Sequence, residues 1–173
     1  MRAPLIATVA VMAGLTALAA PASAQTQYNF TPSERNGVCY VEFPGPNLPG
    51  EDKPFSIEFS YRVRDGNLGA TIKVNGWDRA QKADPEKKIP MTLVFDTGTS
   101  APSRSGGYES GFNDTAWAGF GPEPSVPVFA LMEKAKTVKV KFDGMTLGPV
   151  DLQMKGLAHT SLSMCADEVR KRG

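Results

Sequence analysis

Residues 55–63 read FSIEFSYRV and carry the strongest indication of the fold. Aromatic and aliphatic side chains occupy every second position, and Ser, Glu, Ser and Arg occupy the positions between them. Because successive side chains of a β-strand point to opposite faces of a sheet, this period of two predicts a strand with one buried face. Asp65-Gly66-Asn67 then predicts a hairpin turn, and residues 68–74, LGATIKV, alternate as the partner strand.

Shorter apolar or alternating segments on both sides of this hairpin predict further strands. They are residues 38–43, 91–95, 115–120, 137–142 and 145–154. Two runs rich in Pro, Gly or Ser, 44–54 and 96–111, predict loops, and the second is expected to be long and exposed. The 17 Gly and 14 Pro residues of the chain suit many turns between short strands.

Two segments near the C-terminal end predict helices. Residues 127–135, PVFALMEKA, form a short one with Ser125 as its candidate N-cap. Residues 157–170 form the second, because their apolar positions fall near one helical face and basic residues crowd the C-terminal end. The charged run 78–88 is expected to be a loop or a ragged helical turn. Few helices in a mostly β chain predict an antiparallel β-sandwich-like domain with peripheral helices.

The N-terminal residues 1–24 have the pattern of an export signal. Arg2 supplies a positive charge, residues 5–20 are apolar, and small residues stand at the −3 and −1 positions of a cut between Ala24 and Gln25. A membrane anchor is the alternative, but the apolar run is short for a bilayer span of about 20 residues. The pattern therefore predicts a cleaved signal peptide and a periplasmic or secreted protein with no transmembrane segment after cleavage.

The expected mature chain, residues 25–173, has the size of one domain with a real core. The whole sequence holds 19 Lys and Arg against 18 Asp and Glu, and Arg2 is the only charged residue of the expected signal. The mature net charge is therefore close to zero. With no basic field to gather phosphates, nucleic acid and anionic lipid are not expected as partners.

Cys39 and Cys165 are the two cysteines of the chain. In an oxidising compartment the simplest expectation is a disulfide between them, with two free thiols or a redox-active pair as alternatives. The chain has no Cys-x-x-Cys motif, and two distant cysteines with one histidine do not make a zinc site. No metal or cofactor is expected.

The sharpest motif for catalysis is Asp96-Thr97-Gly98-Thr99, which follows the apolar segment 91–95. It resembles the active-site loop of pepsin-like and retropepsin-like aspartic proteases. That resemblance implies a catalytic Asp96 that shares a proton with a second carboxylate, and one copy of the motif would require a symmetric homodimer. The segment after it, 101–107, is polar, whereas those proteases continue with an apolar stretch. An ordinary strand-end turn is the preferred interpretation, and an aspartic-type hydrolase is the alternative.

No other catalytic set is complete in the sequence. His159, the sole histidine, lies on the predicted C-terminal helix and is expected to be a surface or cap residue. The chain has no Gly-x-Ser-x-Gly nucleophile turn, no phosphate-binding glycine loop and no His-Glu-x-x-His. We therefore expect a protein that is not an enzyme.

Five aromatic residues lie in or beside the two central loops. They are Trp77, Tyr108, Phe112, Trp117 and Phe120. Trp77 and Tyr108 have polar neighbours in the sequence and are expected to be exposed contacts for a protein, glycan or lipid. Trp117 and Phe120 are expected to belong to the core.

The C-terminal half resembles the invasion-associated locus B family of exported bacterial proteins. The residues that carry the resemblance are FALMEK at 129–134, TVKVKF at 137–142 and VDLQMKGLA at 150–158. Many members have a cysteine pair in the central region, and here residues 111–121 have none. The resemblance implies a periplasmic β-sandwich without established catalysis, and it implies no active-site residues.

Overall fold

Two antiparallel sheets form the body of the protein in a computed structural model. The structure describes residues 33–110, 114–122, 128–152 and 158–172. It confirms the expected mainly β, sandwich-like fold. The expected export signal, residues 1–24, lies outside the described residues, as do Ser125 and Phe112.

Ten strands and three helices make up the described chain. In order, the strands are β1 Ser33–Arg35, β2 Val38–Asn47, β3 Pro54–Arg62, β4 Asn67–Val74, β5 Met91–Phe95, β6 Ser100–Pro102, β7 Ser105–Glu109, β8 Thr115–Pro122, β9 Thr137–Phe142 and β10 Met145–Asp151. The helices are α1 Asp78–Gln81, α2 Val128–Lys134 and α3 Ala158–Arg172. One sheet has the strand order β1-β2-β3-β4-β8-β7, and the other has the order β10-β9-β5-β6.

The predicted hairpin is the centre of the six-stranded sheet. Strands β3 and β4 pair from Phe55 opposite Val74 to Arg62 opposite Asn67, and the Gly66 N–H donates to the Arg62 carbonyl at 2.9 Å. Every second residue of both strands is buried, as the alternation predicts.

The core fills the space between the two sheets. Its largest side chain is Trp77, which lies between β4 and α1 in the sequence, and phenylalanines from both sheets follow: Phe43, Phe59 and Phe120 from the first, Phe95 and Phe142 from the second. The rings of Phe43 and Phe59 meet edge to face with centroids 5.9 Å apart. Each such burial stabilises the fold by about 1.5–3 kcal/mol.

The prediction of a long exposed loop at 96–111 is wrong, because this segment contains β6 and β7. The chain leaves the four-stranded sheet after β6 and joins the six-stranded sheet two residues later. At the crossing, the Ser103 N–H donates to the Met91 carbonyl at 2.7 Å and the Arg104 N–H donates to the Gly119 carbonyl at 2.8 Å. This segment therefore joins the edges of the two sheets. The loop expected at 44–54 also starts later, since β2 extends to Asn47.

Both C-terminal helices are confirmed, as α2 and α3. Helix α3 packs against β2 and β3, and Cys165 on this helix forms the predicted disulfide with Cys39 on β2. The Arg170 guanidinium also donates to the Tyr61 hydroxyl at 3.2 Å. His159 lies in the first turn of α3. Among the described helices, none is long and apolar enough to cross a membrane.

Candidate functional site

The exposed aromatic surface expected at Trp77 and Tyr108 is wrong. Trp77 is 0% exposed and Tyr108 is 4% exposed. The Tyr108 ring lies edge to face against Trp77 at 5.3 Å and against Phe142 at 4.9 Å. The physical reason is that β7 pairs with β8, which turns Tyr108 toward the core and leaves the polar neighbours Ser105 and Glu109 outside. In this structure neither ring is open to a large ligand.

The expected core position of Trp117 is also wrong, whereas that of Phe120 is confirmed. In β8 the side chains of Ala116, Ala118 and Phe120 point inward. Trp117 lies between two of them, so the alternation of the strand places its indole on the outer face of the six-stranded sheet, where it is 40% exposed. Met164 on α3 is the other large apolar side chain that the described residues expose.

Trp117 stands in a row of side chains that crosses five strands. The register pairs Glu42 with Glu58, Glu58 with Thr71, Thr71 with Trp117 and Trp117 with Gly107. Directly paired residues share one face of a sheet, so all five belong to the outer face. We call these five residues the Trp117 row. With strands about 4.8 Å apart, the row is about 19 Å long.

Glycine residues lie next to Trp117 on both neighbouring strands and in the adjacent row. A β-carbon at Gly107 would lie 3.3 Å from the Lys87 carbonyl oxygen and 3.7 Å from the indole Nε1 of Trp117, so the chain itself covers this glycine. In the adjacent row Gly69 pairs with Gly119. The hydroxyls of Ser60 and Ser105 lie over these two glycines, 2.8 and 2.9 Å from where their β-carbons would be. In the row of Gly69 and Gly119, the surface beside Trp117 therefore carries no large side chains and presents hydroxyl groups.

A charged cluster lies at the other end of the Trp117 row. The Lys73 ammonium is 2.9 Å from the Glu42 carboxylate and 2.7 Å from the Glu58 carboxylate, and the Ser56 hydroxyl donates to Glu42. Burial alone would raise the pKa of Glu42, but the hydrogen bonds from Ser56 and Lys73 and the charge of Lys73 outweigh burial and lower it. Burial alone would lower the pKa of Lys73, but its bonds to Glu58 and Glu42 outweigh burial and raise it.

A cleft with a volume of about 520 Å³ lies beside α1. The Tyr108 hydroxyl donates to the Asp143 carboxylate at 3.0 Å, and Arg79 lies 3.4 Å from the same oxygen. Burial, followed by the hydrogen bond to Asp143 and the charge of Asp143, raises the pKa of Tyr108 to about 12. Lys82 and Lys53 each lie 3.5 Å from Asp78. Charged groups of both signs therefore line this cleft, and several of them already pair with one another.

Asp96 lies in a tight hairpin turn between β5 and β6. The Gly98 N–H donates to the Phe95 carbonyl at 3.0 Å, and the Phe95 N–H donates to the Thr99 carbonyl at 2.9 Å. Gly98 has φ +83°, which favours glycine. The Asp96 carboxylate accepts the backbone N–H of Lys136 at 3.0 and 3.3 Å. The strand-end turn expected for this motif is confirmed, and the carboxylate serves it as a cap.

The described segments contain no cluster of side chains suited to metal binding. Within these segments no three His, Cys, Asp or Glu side chains lie close enough to hold a metal ion. No protein-family model, no curated protein and no solved structure matches the chain. The resemblance to the invasion-associated locus B family therefore stays a prediction, and any functional conclusion depends on the geometry above.

Proposed function

We propose that this protein is an exported, non-catalytic binding module, periplasmic or secreted, that contacts its ligand through the Trp117 row. The observation that carries the proposal is the half-exposed indole of Trp117 on the outer face of the six-stranded sheet, one strand from its edge. Burying an exposed aromatic ring against a ligand is a strong source of binding free energy, and tryptophan is enriched among the residues that dominate interfaces.

Three further observations support the export part of the proposal. The sequence of residues 1–24 has the pattern of a signal peptide. A disulfide joins Cys39 to Cys165, and such bonds persist in oxidising compartments. The resemblance of the C-terminal half to an exported family points the same way.

An aspartic-type hydrolase built on Asp96 is the alternative hypothesis for the function, and it has less support. An aspartic mechanism needs two carboxylates that share one proton near a bound water. In this structure both oxygens of Asp96 accept a backbone N–H from Lys136, which fixes the carboxylate against β9. This engagement favours a structural role of Asp96.

The binding role is tested by co-sedimentation of the purified mature protein with the isolated cell-envelope fraction of the source organism. We expect the wild type to sediment with the envelope and Trp117→Ala to remain largely in the supernatant. Met164→Ala is the matched control, since it removes the other exposed large apolar side chain from a different element, and it should sediment like the wild type. Equal sedimentation of wild type and Trp117→Ala, both folded by circular dichroism, would overturn the proposal.

Export has its own test in cells that express the full chain. We expect the mature protein outside the cytoplasm, with Gln25 as its N-terminal residue. A chain that keeps Met1 and stays in the cytoplasm contradicts this part of the proposal.

A further inference from the structure

The surroundings of Trp117 restrict the chemistry of its ligand. Protein interfaces and lipid-binding surfaces are built on contiguous apolar patches of several hundred Å². On the outer face of the six-stranded sheet, Trp117 is the one large apolar side chain that the described residues expose, and Met164 belongs to α3. Hydroxyl groups lie beside the indole, and two carboxylates and an ammonium lie farther along the row. A ligand for this surface must therefore be apolar only over a small area and polar around it.

We infer that the Trp117 row binds a neutral saccharide chain, which deepens the proposed function and rests on it. A pyranose ring has an apolar face of C–H groups and a rim of hydroxyls. The indole of Trp117 packs against the C–H face, because aromatic rings attract the partly positive hydrogens of such groups. The rim hydroxyls donate to Glu58 and exchange hydrogen bonds with the Thr71 hydroxyl.

The Trp117 row is longer than one sugar ring, so a ligand that contacts both its aromatic and its charged residues has several rings. Thr71 lies one strand spacing from Trp117, Glu58 lies two and Glu42 lies three, which places the carboxylates about 10 and 14 Å from the aromatic strand. A single ring stacked on the indole cannot reach both carboxylates. An extended oligosaccharide that runs across the strands contacts the row from Trp117 to Glu42, and Gly69 and Gly119 leave the adjacent surface free of large side chains.

The charges of the row favour a neutral chain over an acidic one. Glu42 and Glu58 share a single cation, Lys73, which is already bonded to both. The remaining members of the row, Thr71, Trp117 and Gly107, carry no charge. Two carboxylates against one ammonium leave this end of the row with an excess of negative charge, which disfavours uronic acids and other anionic polymers there.

The test uses isothermal titration calorimetry and tryptophan fluorescence with three probes. They are cellohexaose and hexa-N-acetylchitohexaose, which are neutral β-1,4-linked hexasaccharides, and polygalacturonate as the anionic chain. We expect at least one neutral hexasaccharide to bind in the millimolar range or tighter and polygalacturonate not to bind. Trp77 is buried and Trp117 is exposed, so a fluorescence change on binding should disappear in Trp117→Phe.

Variants assign the contact to the row. Trp117→Ala should weaken binding by about tenfold or more, which corresponds to about 1.4 kcal/mol. Thr71→Ala should weaken it severalfold, and Met164→Ala should leave it unchanged. Circular dichroism of each variant checks that the fold is intact.

Three results would overturn the inference. The first is that neither neutral hexasaccharide binds. The second is that wild type and Trp117→Ala bind the hexasaccharide with equal affinity. The third is that polygalacturonate binds more tightly than both neutral hexasaccharides. Envelope sedimentation that depends on Trp117 without binding to either neutral hexasaccharide overturns the saccharide inference and leaves the proposed binding function in place.

Discussion

The backbone N–H of Lys136 donates to both carboxylate oxygens of Asp96, at 3.0 and 3.3 Å. The Asp96 N–H in turn donates to the Thr137 carbonyl at 3.2 Å. These bonds continue the pairing of β5 with β9 past the end of β5. The residue that resembles a protease aspartate thus connects two neighbouring strands.

We expect Asp96→Ala to lower the free energy of unfolding by about 1 kcal/mol, because the Lys136 N–H loses its acceptor. Asp96→Asn should cost less, since its amide oxygen still accepts this bond. Urea unfolding followed by circular dichroism measures both variants. The structural role is wrong if Asp96→Ala is as stable as the wild type, or if Asp96→Asn abolishes a measured peptidase activity while the protein stays folded.

The disulfide between Cys39 and Cys165 links residues 126 positions apart. In the chain-entropy model a loop of this length stabilises the fold by about 5 kcal/mol. Reduction should therefore lower the melting temperature by about 10–20 °C, measured by calorimetry with and without a reductant. The double variant with both cysteines replaced by Ala should melt near the reduced wild type and show no effect of the reductant. Two titratable thiols in the native, unreduced protein would contradict the bond.

Much of the fold could be predicted because its signals are local. The alternation of residues 55–63 and 68–74 reports burial on one face, and it located β3 and β4 to within about one residue. The apolar segment at β5 and the alternation at β9 were equally direct. The two cysteines left few pairings open.

The rest depended on partners that a local pattern does not show. Residues 105–109, SGGYE, look like a loop, and they become a strand because β8 and Ile89 lie on either side. The apolar composition of residues 116–120, AWAGF, predicts a core position for Trp117. The alternation of Ala116, Ala118 and Phe120 on the inner face was the available signal that Trp117 points outward.

Gly106 tests the close approach that turns this glycine-rich run into β7. A β-carbon there would lie 2.5 Å from the Ile89 carbonyl oxygen and 2.8 Å from that of Trp117, and both are backbone atoms. We expect Gly106→Ala to lower the free energy of unfolding by about 1–3 kcal/mol, as other overpacked sites do. Ser105→Ala, an exposed neighbour on the same strand, should change it by less than about 0.5 kcal/mol. Chemical denaturation that finds equal losses for the two variants would contradict the close contact.

Lys73 should make the stability of the protein depend on pH in the acidic range. The pKa of Glu42 lies below its ordinary value of 4.5, so the stabilisation from this pair is complete above about pH 4.5 and is lost as the pH falls through the folded-state pKa. We expect Lys73→Met to cost about 0.5–1.5 kcal/mol near pH 7, because it also leaves Glu42 opposite Glu58 without a cation. The difference from the wild type should shrink below about pH 4.5.

The matched control for Lys73 is Lys139→Met, which changes an exposed lysine on β9 in the other sheet. Urea unfolding at neutral and acidic pH should show a small effect for this variant at both values. A loss for Lys73→Met that is the same at both pH values would show that its ion pairs contribute nothing to stability.

Tyr108 should make the protein lose stability in alkaline solution. Its pKa is raised from 10.0 to about 12 in the folded protein, first by burial and then by the neighbouring Asp143 carboxylate. Between these values the folded state holds the phenol proton more tightly than the unfolded state. The free energy of unfolding therefore falls as the pH rises from about 10 to about 12, and the contribution is fully present below pH 10. Tyr108→Phe removes this titration, and near pH 7 it should cost about 1 kcal/mol for the lost hydrogen bond to Asp143.

The stability advantage of the wild type over Tyr108→Phe should therefore shrink and then reverse as the pH rises through this range, because the titration of Tyr108 removes more than the roughly 1 kcal/mol that the hydrogen bond contributes. Urea unfolding at several alkaline values measures this difference. The raised pKa of Lys73 is common to both proteins, so its titration cancels in the difference. Ultraviolet absorbance of tyrosinate in the folded wild type should show one late-titrating phenol that the variant lacks. A stability difference that stays constant from neutral pH to about 12 would show that the Tyr108 hydroxyl titrates as freely in the folded protein as in the unfolded chain.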